Sequence, residues 1–221
     1  FVYLGTIFYW IIGRFYTQFP DYMNARKIEE REPVINTSNA AGGFEYSDAY
    51  LYDNDARFVF NFIRRSMDYG CIAANYVESI GAERRDGLWH VTARDTLSGD
   101  TFTIRSKVLV NACGPYVDHH NQLTGQRTEH RHLFSKGIHL IIDRVTKGNR
   151  ILAFFASDGR LFFVIPMGNK TSIGTTDTQV ASPDVTITAE DREFVLENIN
   201  SLLDFEEPIT MDDVIAERCG V

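Results

Sequence analysis

The spacing of apolar and polar residues in the first third of the chain predicts alternating helices and strands. Residues 1–33 read as two helices, and the second carries the charged run ARKIEERE and ends at the following proline, which lacks an N–H donor. The aromatic, partly alternating run at 43–52 predicts a strand. Asp53 or Asn54 is then placed to cap a helix that Gly70 closes.

A first group of short strands follows this helix. We place these strands near 71–80, 88–95, 101–105 and 107–112. Asp-Gly and Ser-Gly-Asp turns between the earlier members are typical of hairpins. The last member lies in KVLVNAC, which is apolar on both faces, as expected of a buried parallel strand.

A second group of strands has a different character, because its apolar runs are joined by short turns rich in Gly, Asp and Asn. This pattern predicts one largely antiparallel sheet with strands at 136–144, 151–156, 160–167 and 170–176. A helix is predicted at 189–203, with Thr188 as its N-cap and Asp191 at the third helical position. A last strand is predicted within 211–221. The two groups together indicate part of a parallel α/β domain interleaved with an antiparallel sheet flanked by helices.

Composition narrows the function classes. The chain of 221 residues has a net charge of -8, which argues against a nucleic-acid-binding protein because such proteins present a basic face to phosphates. Its three cysteines form no CxxC pair, so neither a thiolate zinc site nor a disulfide framework is expected, and a reducing cytoplasm is the expected compartment. His130 and His132 are interpreted as part of a surface loop, and His119-His120 as a solvated helix start, so no metal site is predicted.

The apolar run at 1–13 raises the question of a membrane. The run FVYLGTIFYWIIG is shorter than the roughly 20 residues of a membrane span. It also lacks the basic region and cleavage site of a signal peptide. A buried helix is favoured, and a peripheral contact with the cytoplasmic membrane is the alternative.

Three short segments are candidates for chemistry, each with a plain structural alternative. NACGP at 111–115 would let backbone approach a ligand closely, although a simple strand-to-helix turn explains it too. His139 alternates with its apolar neighbours and so faces away from them, either as a functional residue or as a structural histidine. Thr175 lies where a strand ends and is equally compatible with turn chemistry.

Taken together in order, five segments resemble the FAD-dependent glycerol-3-phosphate dehydrogenases, within the wider D-amino-acid-oxidase-like flavoproteins. SKGIHL followed by FFVIP and IGTTDT is the discriminating combination. The segments are GFEYSDAYLYDNDAR (43–57), VLVNACGPYVD (108–118), SKGIHLIIDR (135–144), RLFFVIPMGNKTSIGTTDT (160–178) and DDVIAERCGV (212–221).

The resemblance implies a partial Rossmann-like FAD-binding domain interleaved with a substrate domain built on an antiparallel sheet. The FAD part is expected at 53–120, with a small β-meander at 81–105, and the discontinuous substrate domain at 1–52 and 121–221. The family's glycine-rich pyrophosphate turn would lie upstream, and a phosphate-binding arginine would follow Val221. We therefore expect the chain to be the central portion of a longer enzyme, inactive in isolation and a poor binder of FAD alone.

The resemblance also assigns residues. Cofactor contacts are expected at Val77, Asn111, Ala112, Cys113 and Gly114. On the substrate side, it implies His139 as the base acting on the C2 hydroxyl, with Thr175 near the substrate and Lys136 adding positive charge.

The implied reaction oxidises sn-glycerol 3-phosphate to dihydroxyacetone phosphate with FAD, and the electrons then pass to a quinone or to oxygen. Two alternatives stay open. One is another FAD-dependent amino-acid or hydroxy-acid oxidase, and the other is a non-catalytic binding module. Bound flavin would separate the enzymes from the binding module.

Overall fold

A computed structural model describes residues 2–51 and 54–221 of the chain. These residues form five α-helices, in addition to single 3₁₀ turns at Gly114–Tyr116 and Met211–Asp213. The helices are α1 (Val2–Ile12), α2 (Ala25–Arg31), α3 (Asp55–Met67), α4 (Val117–Leu123) and α5 (Ala189–Leu202).

Every strand pair among the described residues is antiparallel. The strands are β1 (Asp21–Met23), β2 (Gly43–Glu45), β3 (Val77–Arg85), β4 (Leu88–Asp95), β5 (Thr101–Ser106), β6 (Phe134–Asp143), β7 (Leu152–Phe155), β8 (Leu161–Met167), β9 (Lys170–Gly174), β10 (Thr178–Val180) and β11 (Ala216–Gly220). The chain divides into two compact units, one of residues 1–48 and 134–221 and the other of residues 49–133. The functional assignment of the FAD and substrate domains stays a prediction.

The first unit contains the predicted antiparallel sheet. Its strands run in the order β10-β6-β9-β8-β7, and β11 also pairs with β6. The four strands expected from apolar runs joined by short turns are β6, β9, β8 and β7, so that prediction is confirmed. A small ribbon of β1 and β2 belongs to the same unit.

One face of this sheet carries the core of the first unit. Ile138, Leu140 and Ile142, at alternate positions of β6, are buried against α5, whose Val195 and Ile199 are also fully buried. The helix begins as predicted, since Thr188 and Asp191 form a reciprocal capping box. Alternation then obliges the odd-numbered residues of β6 to project from the other face.

The second unit is a three-stranded meander, β3-β4-β5, with α3 and α4. The predicted hairpin turn joins β3 to β4, where Asp86 and Gly87 both have positive φ, at 53° and 77°. Asn54 caps α3 by accepting from the N–H of Arg57, while Asp53, the other predicted cap, lies outside the described residues. The positive φ of Gly70, at 86°, ends the helix region as predicted.

Of the predicted strands, the one at 107–112 is wrong and the one at 43–52 is too long. Residues 107–112 form no strand, and Val108 and Val110 are 70% and 77% exposed. A strand needs a hydrogen-bonded neighbour, and no described segment pairs with this one. The strand expected at 43–52 shortens to Gly43–Glu45, the length over which β1 supplies a partner.

The helix at the start of the chain also differs from the expectation of burial. α1 forms, but Leu4, Phe8 and Ile12 are each more than 60% exposed, because no described element packs over them. Thr6 is the buried residue of the helix. Within residues 2–51 and 54–221, no helix has both the length and the apolar character needed to cross a membrane.

Candidate active site

His139 lies on the open face of the large sheet, near the middle of β6. It is half-buried, whereas Ile138 and Leu140 on either side are fully buried in the core. Its partners in register are Gly174 on β9 and Arg218 on β11. The predicted orientation of His139, away from its apolar neighbours, is therefore confirmed.

A glycine lies beside His139 on the β9 side, whereas Arg218 lies beside it on the β11 side. Gly174 has φ of 140°, and a Cβ at this position would lie 2.5 Å from the backbone oxygen of Ile138 and 3.2 Å from Cδ2 of His139. On the other side, Gly137 is paired in register with Gly220. The backbone of Gly174 thus packs closely against the imidazole ring.

Thr175 lies on the same face as His139. A Cβ built on Gly137 would be 2.8 Å from the Thr175 hydroxyl, so this hydroxyl occupies the space above Gly137, two residues along the strand from His139. The hydroxyl donates to the backbone oxygen of Thr176 at 2.9 Å. The structure therefore brings together two of the three residues predicted for catalysis.

The environment of His139 favours its neutral form. Burial lowers the pKa of the imidazole, and the positive charge of Arg218 lowers it further. Arg218 carries a charged side chain on the same face as His139. The other described residues on this face that are in register with His139, or next to it on β6, β9 and β11, carry none. A neutral imidazole can accept a proton, so its state suits the role of a base.

Lys136, the third predicted residue, is not brought to His139. It is buried on the core face of β6, where its ammonium forms an ion pair with Asp191 at the start of α5. Nζ also lies 3.4 Å from the backbone oxygen of Thr186. Residues three apart on a strand project to opposite faces, so Lys136 and His139 lie on opposite faces of β6. This geometry does not support the predicted role of Lys136, which is to place a positive charge at the substrate.

The segment predicted to approach the cofactor lies in the second unit. Asn111 fixes its shape, because Nδ2 donates to the backbone oxygen of Val117 and to Oδ1 of Asn121, both at 2.9 Å, and Oδ1 accepts from the N–H of Cys113 at 3.2 Å. Ala112, Cys113 and Gly114 are exposed. The predicted turn into a helix is present as the 3₁₀ turn followed by α4.

The other predicted cofactor residue, Val77, is the first residue of β3. β3 contacts α4, and the Ser79 hydroxyl lies 2.9 Å from Nε2 of His120. His120 is buried, so the expectation of a solvated residue is wrong here, while it holds for the exposed His119. Because the two histidines are adjacent in the sequence, they project in different directions from α4: His119 lies at the surface and His120 faces β3.

His132 in the polar loop has a local partner. The carboxylate of Asp118 accepts from the backbone N–H of His132 at 2.8 Å and lies 3.2 Å from its Nδ1. That backbone hydrogen bond is the main cause that lowers the pKa of Asp118. In the part of the chain that the structure describes, no group of three His, Cys, Asp or Glu residues is arranged to hold a metal ion.

A concavity lies elsewhere in the first unit. It has a volume of about 620 Å³ and is lined by residues of α1, β1, β2 and α2, together with Arg150. Its charged side chains are satisfied by one another, since Arg31 pairs with Asp21 and Glu45, and Arg150 pairs with Glu32 and Glu45. None of the predicted site residues lines it, so the sheet face around His139 remains the stronger candidate.

The position of Arg218 next to His139 does not follow from the sequence pattern. The pattern predicts a terminal strand around Arg218 but does not indicate which strand pairs with it. Alternation within β11 could have separated Arg218 from its neighbours, but its position beside His139 depends on a pairing between segments that are distant in sequence.

Gly174→Ala is expected to destabilise the first unit by about 1–3 kcal/mol, because the added Cβ would combine a strained φ with a backbone clash. Gly220→Ala is the matched control, since a Cβ there meets nothing within 4 Å. Urea denaturation, combined with hydrogen exchange of peptides from β6 and β9, measures the free energy of unfolding of the first unit in both variants. Equal stability of the two variants would contradict the close packing of His139 over Gly174.

Comparisons with known proteins agree with the resemblance in sequence. The chain is 31% identical over 203 residues to an alpha-glycerophosphate oxidase of Streptococcus pneumoniae, covering 88% of this chain and 33% of that protein. It is 30% identical over 204 residues to an aerobic glycerol-3-phosphate dehydrogenase of Bacillus subtilis, covering 90% and 36%. The chain thus spans about a third of the length of these curated relatives.

Solved structures resemble the chain as well. The X-ray structure of the glycerol-3-phosphate dehydrogenase from Bacillus halodurans complexed with FAD matches with a TM-score of 0.75 and 31% identity, covering 90% of this chain and 40% of that one. L-proline dehydrogenase from P. horikoshii shares the fold at 14% identity, with a TM-score of 0.65 and coverage of 91% and 52%. The sequence model described as "DAO: FAD dependent oxidoreductase" matches residues 14–221. The chain therefore belongs to the FAD-dependent oxidoreductase family.

Proposed function

We propose that the whole protein oxidises sn-glycerol 3-phosphate to dihydroxyacetone phosphate with FAD as the hydride acceptor. The observation that carries this proposal is the cluster on the open sheet face, where His139 lies above Gly174 with Thr175 close by. The relatives named glycerol-3-phosphate dehydrogenase or oxidase support the choice of substrate.

The second unit contains residues that fit FAD. A flavin nucleotide needs backbone that it can approach closely, and Ala112, Cys113 and Gly114 offer an exposed stretch of small side chains. Gly114 has φ of 53°, and the position of its absent Cβ faces open space. We assign the cofactor contacts to this stretch, with Asn111 holding its shape and Val77 contributing backbone from the start of β3.

In the proposed reaction, an imidazole nitrogen of His139 accepts the proton of the C2 hydroxyl as the C2–H bond breaks. FAD, when bound, accepts the hydride, which is two electrons and one proton, from C2. C2 becomes the carbonyl carbon of dihydroxyacetone phosphate, so atoms and electrons balance. The Thr175 hydroxyl is placed to hydrogen-bond the substrate next to the base, which orients the C2 hydroxyl toward the imidazole.

The path of the electrons after this step is a separate matter. The relatives include proteins named oxidase and proteins named dehydrogenase. Oxygen and a quinone are accordingly the two acceptors compatible with the proposal, and oxygen consumption by the purified protein without added quinone would distinguish them.

The test is anaerobic reduction of the flavin in the whole protein. Glycerol 3-phosphate should bleach the flavin absorbance, whereas equal concentrations of L-proline, D-alanine and lactate should leave it unchanged. The latter compounds represent amino-acid and hydroxy-acid oxidation. Bleaching by one of them but not by glycerol 3-phosphate would reject the proposed substrate, and absence of bound flavin would favour a binding module.

A further inference from the structure

The backbone at the start of β3 carries two polar groups that point away from the meander. β3 is an edge strand, since the sheet order is β3-β4-β5. The N–H of Thr96 donates to the carbonyl of Tyr76 at 2.8 Å, and bonded pairs alternate with non-bonded pairs along an antiparallel ladder. The next pair, Val77 and Asp95, is therefore non-bonded, and the N–H and C=O of Val77 point to the free edge of β3. No described residue forms a hydrogen bond with either group.

The direction of the Val77 N–H is set by the carbonyl that precedes it. Thr96 holds this carbonyl twice, because its hydroxyl also donates to the Tyr76 oxygen, at 3.1 Å. In a trans peptide the C=O and the following N–H lie in one plane and point in opposite directions. A Tyr76 carbonyl that is turned toward Thr96 therefore turns the Val77 N–H outward.

The backbone conformation of Tyr76 makes this second hydrogen bond important. Its φ is 58°, in the left-handed region that a bulky residue rarely adopts. If its carbonyl were not held, the residue would favour a negative φ, and the peptide plane that follows it would turn. The Tyr76 side chain is 60% exposed, so packing of the ring contributes little to holding this conformation.

Thr96 is itself held in place by the turn that joins β4 to β5. The carboxylate of Asp95 accepts from the N–H groups of Leu97 and Ser98, at 2.8 and 3.2 Å. The N–H of Gly99 closes the same turn by donating to the Asp95 carbonyl at 2.8 Å. The two donors of Thr96 therefore stand on a fixed support.

We propose that Thr96 is a positioning residue for the cofactor, which directs the Val77 N–H toward the adenine ring of FAD by holding the Tyr76 carbonyl. This inference rests on the cofactor assignment made under the proposed function. Adenine carries ring nitrogens that accept and an exocyclic amine that donates, and the N–H and C=O of one non-bonded strand residue are complementary to such a pair. An N–H whose direction is already fixed binds without a further loss of backbone entropy, so holding the carbonyl raises the affinity.

The experiment measures the binding of FAD, ADP and FMN to apoprotein prepared from the whole protein. Thr96→Val keeps the branched shape and the backbone N–H but removes the hydroxyl. It should raise Kd for FAD and ADP, which contain adenine, by about 3- to 10-fold, as expected for one hydrogen bond, and leave Kd for FMN unchanged. Thr96→Ser restores the hydroxyl and should restore the affinity. Thr103→Val is the matched control, because it removes the hydroxyl of an exposed threonine on β5 and should change none of the three constants.

Hydrogen exchange at the Val77 amide gives a second measurement, which does not depend on a variant. This amide has no described partner, so it should exchange rapidly in the apoprotein and become protected when ADP binds. An amide that ADP leaves unprotected would overturn the proposal, and so would equal Kd values for ADP in Thr96→Val and Thr103→Val. Equal losses for FAD, ADP and FMN would also overturn it, in favour of a purely structural role for Thr96.

The outcomes separate this inference from the proposed function. If the whole protein binds FAD but does not react with glycerol 3-phosphate, the proposed substrate fails and the role of Thr96 stands. If glycerol 3-phosphate reduces the flavin but Thr96→Val binds FAD as tightly as Thr103→Val, the proposed function stands and this inference fails. A whole protein that binds no FAD would reject both.

Discussion

Replacing His139 with glutamine in the whole FAD-loaded protein is expected to lower kcat about 100-fold or more, because the amide can hydrogen-bond a hydroxyl but cannot accept its proton. The substitution preserves polarity on the open face of β6. It leaves the buried neighbours Ile138 and Leu140 in place, so the core packing against α5 is retained. Stopped-flow measurement of flavin reduction gives the rate of the chemical step directly.

Flavin content and a second histidine serve as controls for this substitution. His139→Gln should retain its FAD, because His139 is not among the residues assigned to hold the cofactor. His130→Gln changes an exposed loop histidine and should leave the reduction rate unaltered. A normal rate in the His139 variant with flavin intact would end the proposal of a base, whereas loss of folding or flavin would indicate a structural histidine.

The pH profile gives an independent measure of the same residue. Burial, and then the charge of Arg218, lower the pKa of His139, so its neutral form persists below the usual value of about 6.5. The acid limb of kcat/KM, which reports the free enzyme, is therefore expected at a pH below that value. In His139→Gln this limb should disappear, since the group that titrates is gone.

Local pattern was sufficient for the elements that position the candidate base. The alternation of Ile138, His139 and Leu140 predicts which side chain leaves the core, and Thr188 with Asp191 predicts where α5 begins. Both follow from contacts within a few residues. The resemblance in sequence added what periodicity could not, namely the expectation that His139 and Thr175 belong to one site.

Features that depend on distant partners were not predictable in the same way. Residues 107–112 carry a strand pattern, but a strand exists only where another segment completes its hydrogen bonds, and none of the described segments does so here. Arg218 acquires its place beside His139 through pairing between segments far apart in the chain. The resemblance implies that Lys136 lies near the substrate, but its ion-pair partner Asp191 is 55 residues away in the sequence and lies on the core side of the sheet.

The burial of that lysine leads to the largest stability effect that we expect. Lys136 and Asp191 are 6% and 7% exposed, and their ion pair joins β6 to the first turn of α5. Asp191 also accepts the N–H of Thr188 at 2.9 Å, which completes the capping box. Burial by itself raises the pKa of this carboxyl, but the Lys136 ammonium and the Thr188 donors together hold it below its usual value.

Lys136→Met should therefore lower the free energy of unfolding of the first unit by about 3–5 kcal/mol at neutral pH, because it leaves a buried carboxylate without its counter-charge. Lys170→Met is the matched control, as Lys170 pairs with an Asp143 side chain that is 84% exposed, and such a pair contributes about 1 kcal/mol or less. Urea denaturation with hydrogen exchange of β6 and α5 peptides isolates the first unit from the second. Equal losses in the two variants would show that the Lys136–Asp191 pair adds nothing beyond a surface contact.

The pH dependence of the loss in free energy of unfolding shows whether the unpaired Asp191 carboxylate causes it. In the unsubstituted protein the folded pKa of Asp191 is lowered, so its contribution to stability is present above the unfolded pKa of about 3.9 and is lost as the pH falls through the folded value. In Lys136→Met the lowering influence of the ammonium is gone, so the folded pKa of Asp191 is higher than in the unsubstituted protein and less stability is lost as the pH falls. The stability difference between the two proteins should thus narrow from pH 7 toward pH 4. A cavity left by the shorter side chain would instead give a difference independent of pH, and Lys136→Met/Asp191→Asn, which removes both charges, should be less destabilised at pH 7 than Lys136→Met alone.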